Sequence, residues 1–132
     1  GLNGLQNVSF EKADVFEFLT EKAGRKEHPY GMIILDPPAF TKSRSTVKNA
    51  GKGYVELNSL AMRVLGRGGW LVTCSCSRFM TPGMFQKAVE EAALNAGLSV
   101  KFAEKRGASP DHPVVSGNPE TEYLKCLICQ VV

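Results

Sequence analysis

The stretch Gly31-Met32-Ile33-Ile34-Leu35-Asp36-Pro37-Pro38-Ala39-Phe40 decides the fold. Its first five residues are uncharged and continuously apolar, which predicts a buried strand of a parallel sheet rather than the alternating strand of a half-solvated sheet. His28-Pro29-Tyr30 precedes the run, and Pro37 and Pro38 prevent it from continuing, because proline supplies no backbone donor to a ladder. In open parallel sheets ligands collect at the carboxyl ends of the strands. Asp36 therefore stands where a site is expected.

Outward from that strand the chain alternates between strand and helix signals. Val8 to Lys12 predicts a short strand ending at Ala13 and Asp14, and Val15, Phe16, Phe18 and Leu19 follow at helical spacing. Ala39 to Gly53 predicts a polar, mobile loop bearing Lys42, Arg44, Lys48 and Lys52 and no acidic residue. Leu57, Leu60, Ala61, Val64 and Leu65 repeat at the helical period, and Gly66-Arg67-Gly68-Gly69 ends that helix before a strand from Trp70 to Cys74. Thr81-Pro82 starts a further helix through Phe85, Ala88, Val89, Ala92 and Ala93, with Gly97 beyond its end. Leu98 to Ala103 and Leu124 to Val132 complete the pattern as strands. This order predicts an α/β sheet with helices on both faces, in one domain spanning residues 1–132.

With 132 residues, 43% of them hydrophobic, the chain is long enough for one cored domain and too short for two. Sixteen cations against thirteen anions leave a net charge of +3, which only slightly favours a polyanionic partner. No run reaches the roughly 20 apolar residues of a membrane span, and GLNGLQNVSF lacks the regions of a signal peptide. The expectation is a cytoplasmic protein without a membrane partner. Its four cysteines, Cys74, Cys76, Cys126 and Cys129, are then expected as reduced thiols.

Three positions follow predicted strands: Asp14, Asp36 with its prolines, and Cys74-Ser75-Cys76-Ser77. A carboxylate held by two prolines at a sheet edge can accept hydrogen bonds from a base amine or an amino-acid ligand, whereas a simple cap needs no proline pair. Cys76 lies just past its strand in a turn of small residues that leaves room for a flat substrate, and a thiol there can act as a nucleophile. Cys74, still inside the apolar strand, reads as a packed small residue. Carbon 5 of cytosine is a poor nucleophile until a thiolate adds at carbon 6, and a carboxylic acid near ring nitrogen 3 helps that addition. Cys76 and Asp36, at the ends of adjacent strands, form such a pair. A zinc tetrathiolate from the four cysteines competes with this use of Cys76. Residues three apart on a strand face opposite sides, so Cys126 and Cys129 chelate together only if a turn interrupts their run, and no metal is expected.

LDPPAF at Leu35 to Phe40, GYVELNSLAMRVL at Gly53 to Leu65, GRGGWLVTCSCS at Gly66 to Ser77, and DHPVV and PETEYLK near the end together resemble one family. It is the class I methyltransferases that form 5-methylcytosine in bacterial large-subunit ribosomal RNA, most of which carry an N-terminal PUA domain. The resemblance covers nearly all of the chain but only the later part of the family's catalytic domain. It implies a Rossmann-like sheet lacking its first two strands, S-adenosylmethionine (SAM) as cofactor and ribosomal RNA as partner. It implies further that Cys76 is the nucleophile and Asp36 its catalytic partner, and that Asp14, Asp36 and Pro37 face the cofactor. Pro38, Phe40, Lys42, Arg44 and His112 are the implied substrate contacts. The family's glycine-rich turn, ribose-binding acidic residue and PUA domain have no counterpart among these residues. Weak or absent SAM binding by the isolated chain is therefore expected, as is association through exposed strand edges.

Two rivals remain. An amino-directed or guanine-directed base methyltransferase uses Asp-Pro-Pro with a nearby aromatic and does not need Cys76. A non-catalytic RNA-binding or dimerising segment needs neither. His112, in Asp111-His112-Pro113, reads equally as a loop-packing residue.

Overall fold

A computed structural model describes residues 3–40 and 46–132. The elements in order are helix α1 (Val15–Gly24), strand β1 (Met32–Leu35), helix α2 (Val47–Leu65), strand β2 (Trp70–Ser75), helix α3 (Pro82–Asn95), strand β3 (Val100–Arg106), a 3-10 turn (Pro119–Thr121) and strand β4 (Lys125–Val131). The sheet order is β1-β2-β4-β3. β1 and β2 are parallel, with Leu35 opposite Thr73. β4 runs antiparallel to both β2 and β3. The α/β expectation holds.

Local chemistry sets the element ends. Asp14 accepts from the Phe16 and Glu17 amides at 2.9 and 3.1 Å and so starts α1. Thr81 accepts from the Met84 amide at 3.2 Å, and Pro82 follows as the first residue of α3. α2 stops at Gly66, whose φ is +67°, and a Cβ there would lie 2.7 Å from the His28 ring. Only glycine satisfies both conditions.

Alternation along the strands defines the buried face. Leu71, Thr73 and Ser75 on β2 and Lys125, Leu127, Cys129 and Val131 on β4 are buried. Against that face packs a layer in which α2 contacts both α1 and α3. Its centre is an aromatic chain: Phe40 meets Tyr54 edge-on at 4.7 Å, and Tyr54 meets Phe85 at 5.3 Å.

The structure corrects three expectations. Val8 to Lys12 forms no strand. A strand needs a neighbour for its backbone groups, and among the described residues none lies beside this segment. The apolar run at Met32–Leu35 is buried on one side only: Met32 and Ile34 are 53% and 66% exposed on edge strand β1. The predicted loop from Ala39 to Gly53 is helical from Val47 onward. Ala50 and Tyr54, both buried, extend the Leu57 and Ala61 stripe backwards at alternating four- and three-residue spacing, which outweighs the helix cost of Gly51 and Gly53.

Phe85 is fully buried at the end of the aromatic chain. Phe85→Ala should lower unfolding free energy by about 3 to 5 kcal/mol in urea denaturation. A loss under about 1 kcal/mol would contradict this packing.

Candidate active site

Because β1 and β2 are parallel and in register through Leu35 and Thr73, the turns that follow them emerge at the same edge of the sheet. One turn is Asp36-Pro37-Pro38 and the other runs through Cys76 and Ser77. The Cys76 thiol points to the Pro37 carbonyl at a long 4.0 Å, so the two turns face each other. Asp36 is exposed, and it and Cys76 both act electrostatically on Cys74.

The Cys76 turn is fixed from below by buried hydroxyls. Ser75 donates to the Tyr54 hydroxyl at 2.9 Å, and the Tyr54 and Ser77 hydroxyls lie 3.1 Å apart. The Ser77 amide donates to Ser75 Oγ at 3.4 Å. Lys125 Nζ donates to the carbonyls of Ser77 at 2.5 Å and Tyr123 at 2.7 Å. Cys76 is thus flanked by two serines turned into the protein, and its own side chain, half-buried, takes the other side.

The remaining thiols differ in environment. Cys74 lies opposite Cys126 across β2 and β4. Burial, followed by its contact with Cys126, pushes the Cys74 thiol up to about 12, and burial does the same to Cys129. β4 is unbroken, so Cys129 is buried while Cys126 is half-buried on the opposite face. No group of three or more metal-ligating side chains occurs among the described residues.

Other predicted site residues stand apart or are already engaged. Asp14 commits one carboxylate oxygen to the α1 amides. Pro37 is half-buried and Pro38 exposed. Phe40 is packed against Tyr54, Phe16 and the backbone at Gly53. His112 is exposed in the loop between β3 and β4, 3.4 Å from Asp111, whose carboxyl is held low by Ser109 and then by His112. Lys42 and Arg44 lie outside the described residues. A cleft lined by Arg78, Lys105, Arg106, Glu122 and Lys125 lies beside the Cys76 turn, with Arg78 paired to Glu120 and Arg106 to Glu104.

Sequence reasoning missed Tyr54, Ser75, Ser77 and Lys125. A signal existed for two of them. Ser75 continues the Leu71 and Thr73 phase, and Lys125 shares the period of Leu127, Cys129 and Val131, so both fall on the core face.

For the cofactor expected here, the chain offers as hydrogen-bond acceptors the exposed carboxylate of Asp36, directly after β1, and the second oxygen of Asp14, at the start of α1. These fit the amino groups of SAM.

The fold is shared with solved methyltransferase-type α/β proteins. The chain superposes with a TM-score of 0.71 on a candidate methyltransferase complexed with SAH, at 21% identity, covering 89% of this chain and 30% of that one. A candidate SAM-dependent methyltransferase from Streptococcus mutans matches with the same TM-score at 22% identity, over 89% of this chain and 29% of that chain. Among curated proteins, it is 46% identical over 131 residues to ribosomal RNA large subunit methyltransferase I of Photobacterium profundum, covering 98% of this chain and 33% of that protein. The protein of the same name from Pseudoalteromonas atlantica is 44% identical over 124 residues, 93% of this chain and 31% of its own length. The chain therefore spans about a third of the curated relatives it matches. No family model matches it.

The buried thiols set an alkaline limit. Unfolding releases Cys74 and Cys129 to ionise near the ordinary 9.0, so the unfolded state binds fewer protons above that pH and stability falls. Lys125 acts oppositely between about 8 and 10.5, because its folded form gives up the proton first. Two thiols outweigh one amine, so the urea midpoint should decline from about pH 9 upward, and less steeply in Cys129→Ala. A midpoint that holds flat or rises above that pH would contradict the burial of these thiols.

Proposed function

We propose that this chain is the substrate-facing part of a SAM-dependent methyltransferase that acts on carbon 5 of a cytosine in large-subunit ribosomal RNA. The observation that carries the reading is the juxtaposition of the Cys76 thiol with the Asp36-Pro37 turn at the carboxyl ends of two parallel strands. The names of the relatives support ribosomal RNA as substrate. No helix among the described residues is long and apolar enough to cross a membrane.

In this mechanism the Cys76 thiolate bonds to carbon 6 of the cytosine while Asp36 holds a proton at ring nitrogen 3, so the ring electrons collect at carbon 5. SAM, when bound, supplies the electrophilic methyl group that carbon 5 takes. The proton on carbon 5 then leaves to a base, and the electrons it leaves behind expel Cys76 and restore the ring. Asp14 and Asp36 would accept from the cofactor's amino groups. Pro37 and Pro38 hold Asp36 in place, and Lys42, Arg44 and His112 would contact RNA, with Phe40 shaping the base pocket from its seat on Tyr54.

The amino-directed and guanine-directed rivals share Asp36 but leave Cys76 idle, and the non-catalytic reading leaves both idle. RNA containing 5-fluorocytosine separates them, because fluorine at carbon 5 cannot leave as a proton does. The complete gene product should form a covalent, denaturation-resistant complex with that RNA in the presence of SAM, and Cys76→Ala should form none. A complex of equal yield in Cys76→Ala would refute the thiol mechanism.

A further inference from the structure

Two of the four cysteines are placed for a chemistry that the methyl-transfer site does not use. Cys74 on β2 and Cys126 on β4 are register partners in an antiparallel pairing. The Trp70 amide donates to Gly31 on the β1 side, and the Val131 amide donates to Gly69, so Trp70 and Gln130 face each other without mutual hydrogen bonds. The register runs unbroken from there to Ser75, which puts Cys74 and Cys126, four residues on, in the same phase. Such a pair brings its Cα atoms to about 4.5 Å, the closest approach that antiparallel neighbours make. Both side chains are half-buried, on the sheet face opposite the Leu71 and Leu127 core. Contact with Cys126 follows burial among the causes that push the Cys74 thiol up.

No other pairing of the four cysteines fits a disulfide, which needs Cα atoms about 4.4 to 6.8 Å apart and Cβ atoms about 3.5 to 4.5 Å apart. Cys76 lies two residues beyond Cys74, where an extended chain places like-facing side chains about 6.6 Å apart. From Cys126 it is a diagonal neighbour, at about 7 to 8 Å. Cys129 is buried on the other face, opposite Leu71. Directly facing Cβ atoms sit about 4.5 to 5.5 Å apart, so a Cys74–Cys126 bridge requires the strands to close by up to about 1 Å. A bridge formed under that strain is readily reduced again, as transient, redox-responsive disulfides are.

We propose that Cys74 and Cys126 form a reversible oxidation site, joined by a cross-strand disulfide when a peroxide is the oxidant, with Cys76 left as a free thiol. Because the Cys74 thiol is held protonated, Cys126 meets the peroxide first. Its sulfur bonds to one peroxide oxygen, the O–O bond breaks, and a Cys126 sulfenic acid and one water result. The Cys74 sulfur then bonds to the Cys126 sulfur, and the sulfenic hydroxyl leaves with the Cys74 proton as a second water. Both sulfurs are oxidised and the peroxide is reduced. The bridge ties β2 to β4 where the Cys76 turn begins, without consuming Cys76. This inference stands on strand pairing and is independent of Cys76 being the nucleophile.

The test treats the complete gene product with hydrogen peroxide, caps remaining thiols with N-ethylmaleimide under denaturing conditions, and maps unreduced peptides by mass spectrometry. One linked species is expected, joining the Cys74 and Cys126 peptides and lighter than their sum by the two thiol hydrogens. Its fragment spectra should place the caps on Cys76 and Cys129. An excess of reduced glutathione before capping should return both thiols, and Cys76→Ser should leave the yield of the link unchanged. Linkage through Cys76 or Cys129, loss of the link in Cys76→Ser, or recovery of Cys74 and Cys126 as separate residues, capped or singly oxidised, would overturn the proposal. A link that survives glutathione would overturn its reversibility.

Discussion

The parallel pairing of β1 with β2 is the constraint on which the rest depends. Leu35 opposite Thr73 makes both strands end at one edge, and Asp36 and Cys76 each follow within three residues of that pair. An antiparallel pair would send Asp36 and Cys76 to opposite ends of the sheet. The α2 crossover enforces the parallel arrangement, and its burial of Tyr54, Leu57, Ala61 and Met62 anchors that helix to the sheet. One helix therefore fixes the strand direction and, through the Tyr54 hydroxyl, holds the Cys76 turn.

The site is built in two layers of opposite character. Above the sheet edge, Asp36, Pro38 and the half-buried Cys76 are open to a ligand. Below it, Tyr54, Ser75, Ser77 and Lys125 form a buried polar network in which each member bonds another or a backbone carbonyl. Such a network is costly if any member loses its partner, so it specifies one geometry for the turn it supports. A nucleophile benefits from that rigidity, because reaction rate depends on holding the attacking atom at a fixed position.

Much of this was legible in the residues, and what was not has identifiable causes. The DPP turn and the Cys76 turn were readable because prolines and small residues after apolar runs mark strand ends. The α3 helix was readable from Thr81-Pro82 and its apolar stripe. The start of α2 was hidden by Gly51 and Gly53, whose low helix propensity is overridden by packing of Ala50 and Tyr54. The Val8 to Lys12 strand was over-read because β-type residues satisfy the pattern without a neighbour to pair with. Lys125 falls inside the strand expected from Leu124 to Val132, but a lysine is ordinarily solvent-exposed, and only its phase places it on the buried face. In the sequence Asp14 reads as a ligand group, and in the structure it caps α1 through one carboxylate oxygen.

If the two turns at the sheet edge act as one catalytic unit, removing either should disable nearly everything the pair contributes. The direct measurement is the rate of methyl incorporation into ribosomal RNA by the complete gene product carrying Asp36→Asn, Cys76→Ala or both. Groups that work together are strongly non-additive. The double variant is predicted to be no slower than the slower single variant. Losses that multiply across the two sites, or methylation undiminished in Cys76→Ala, would contradict the account.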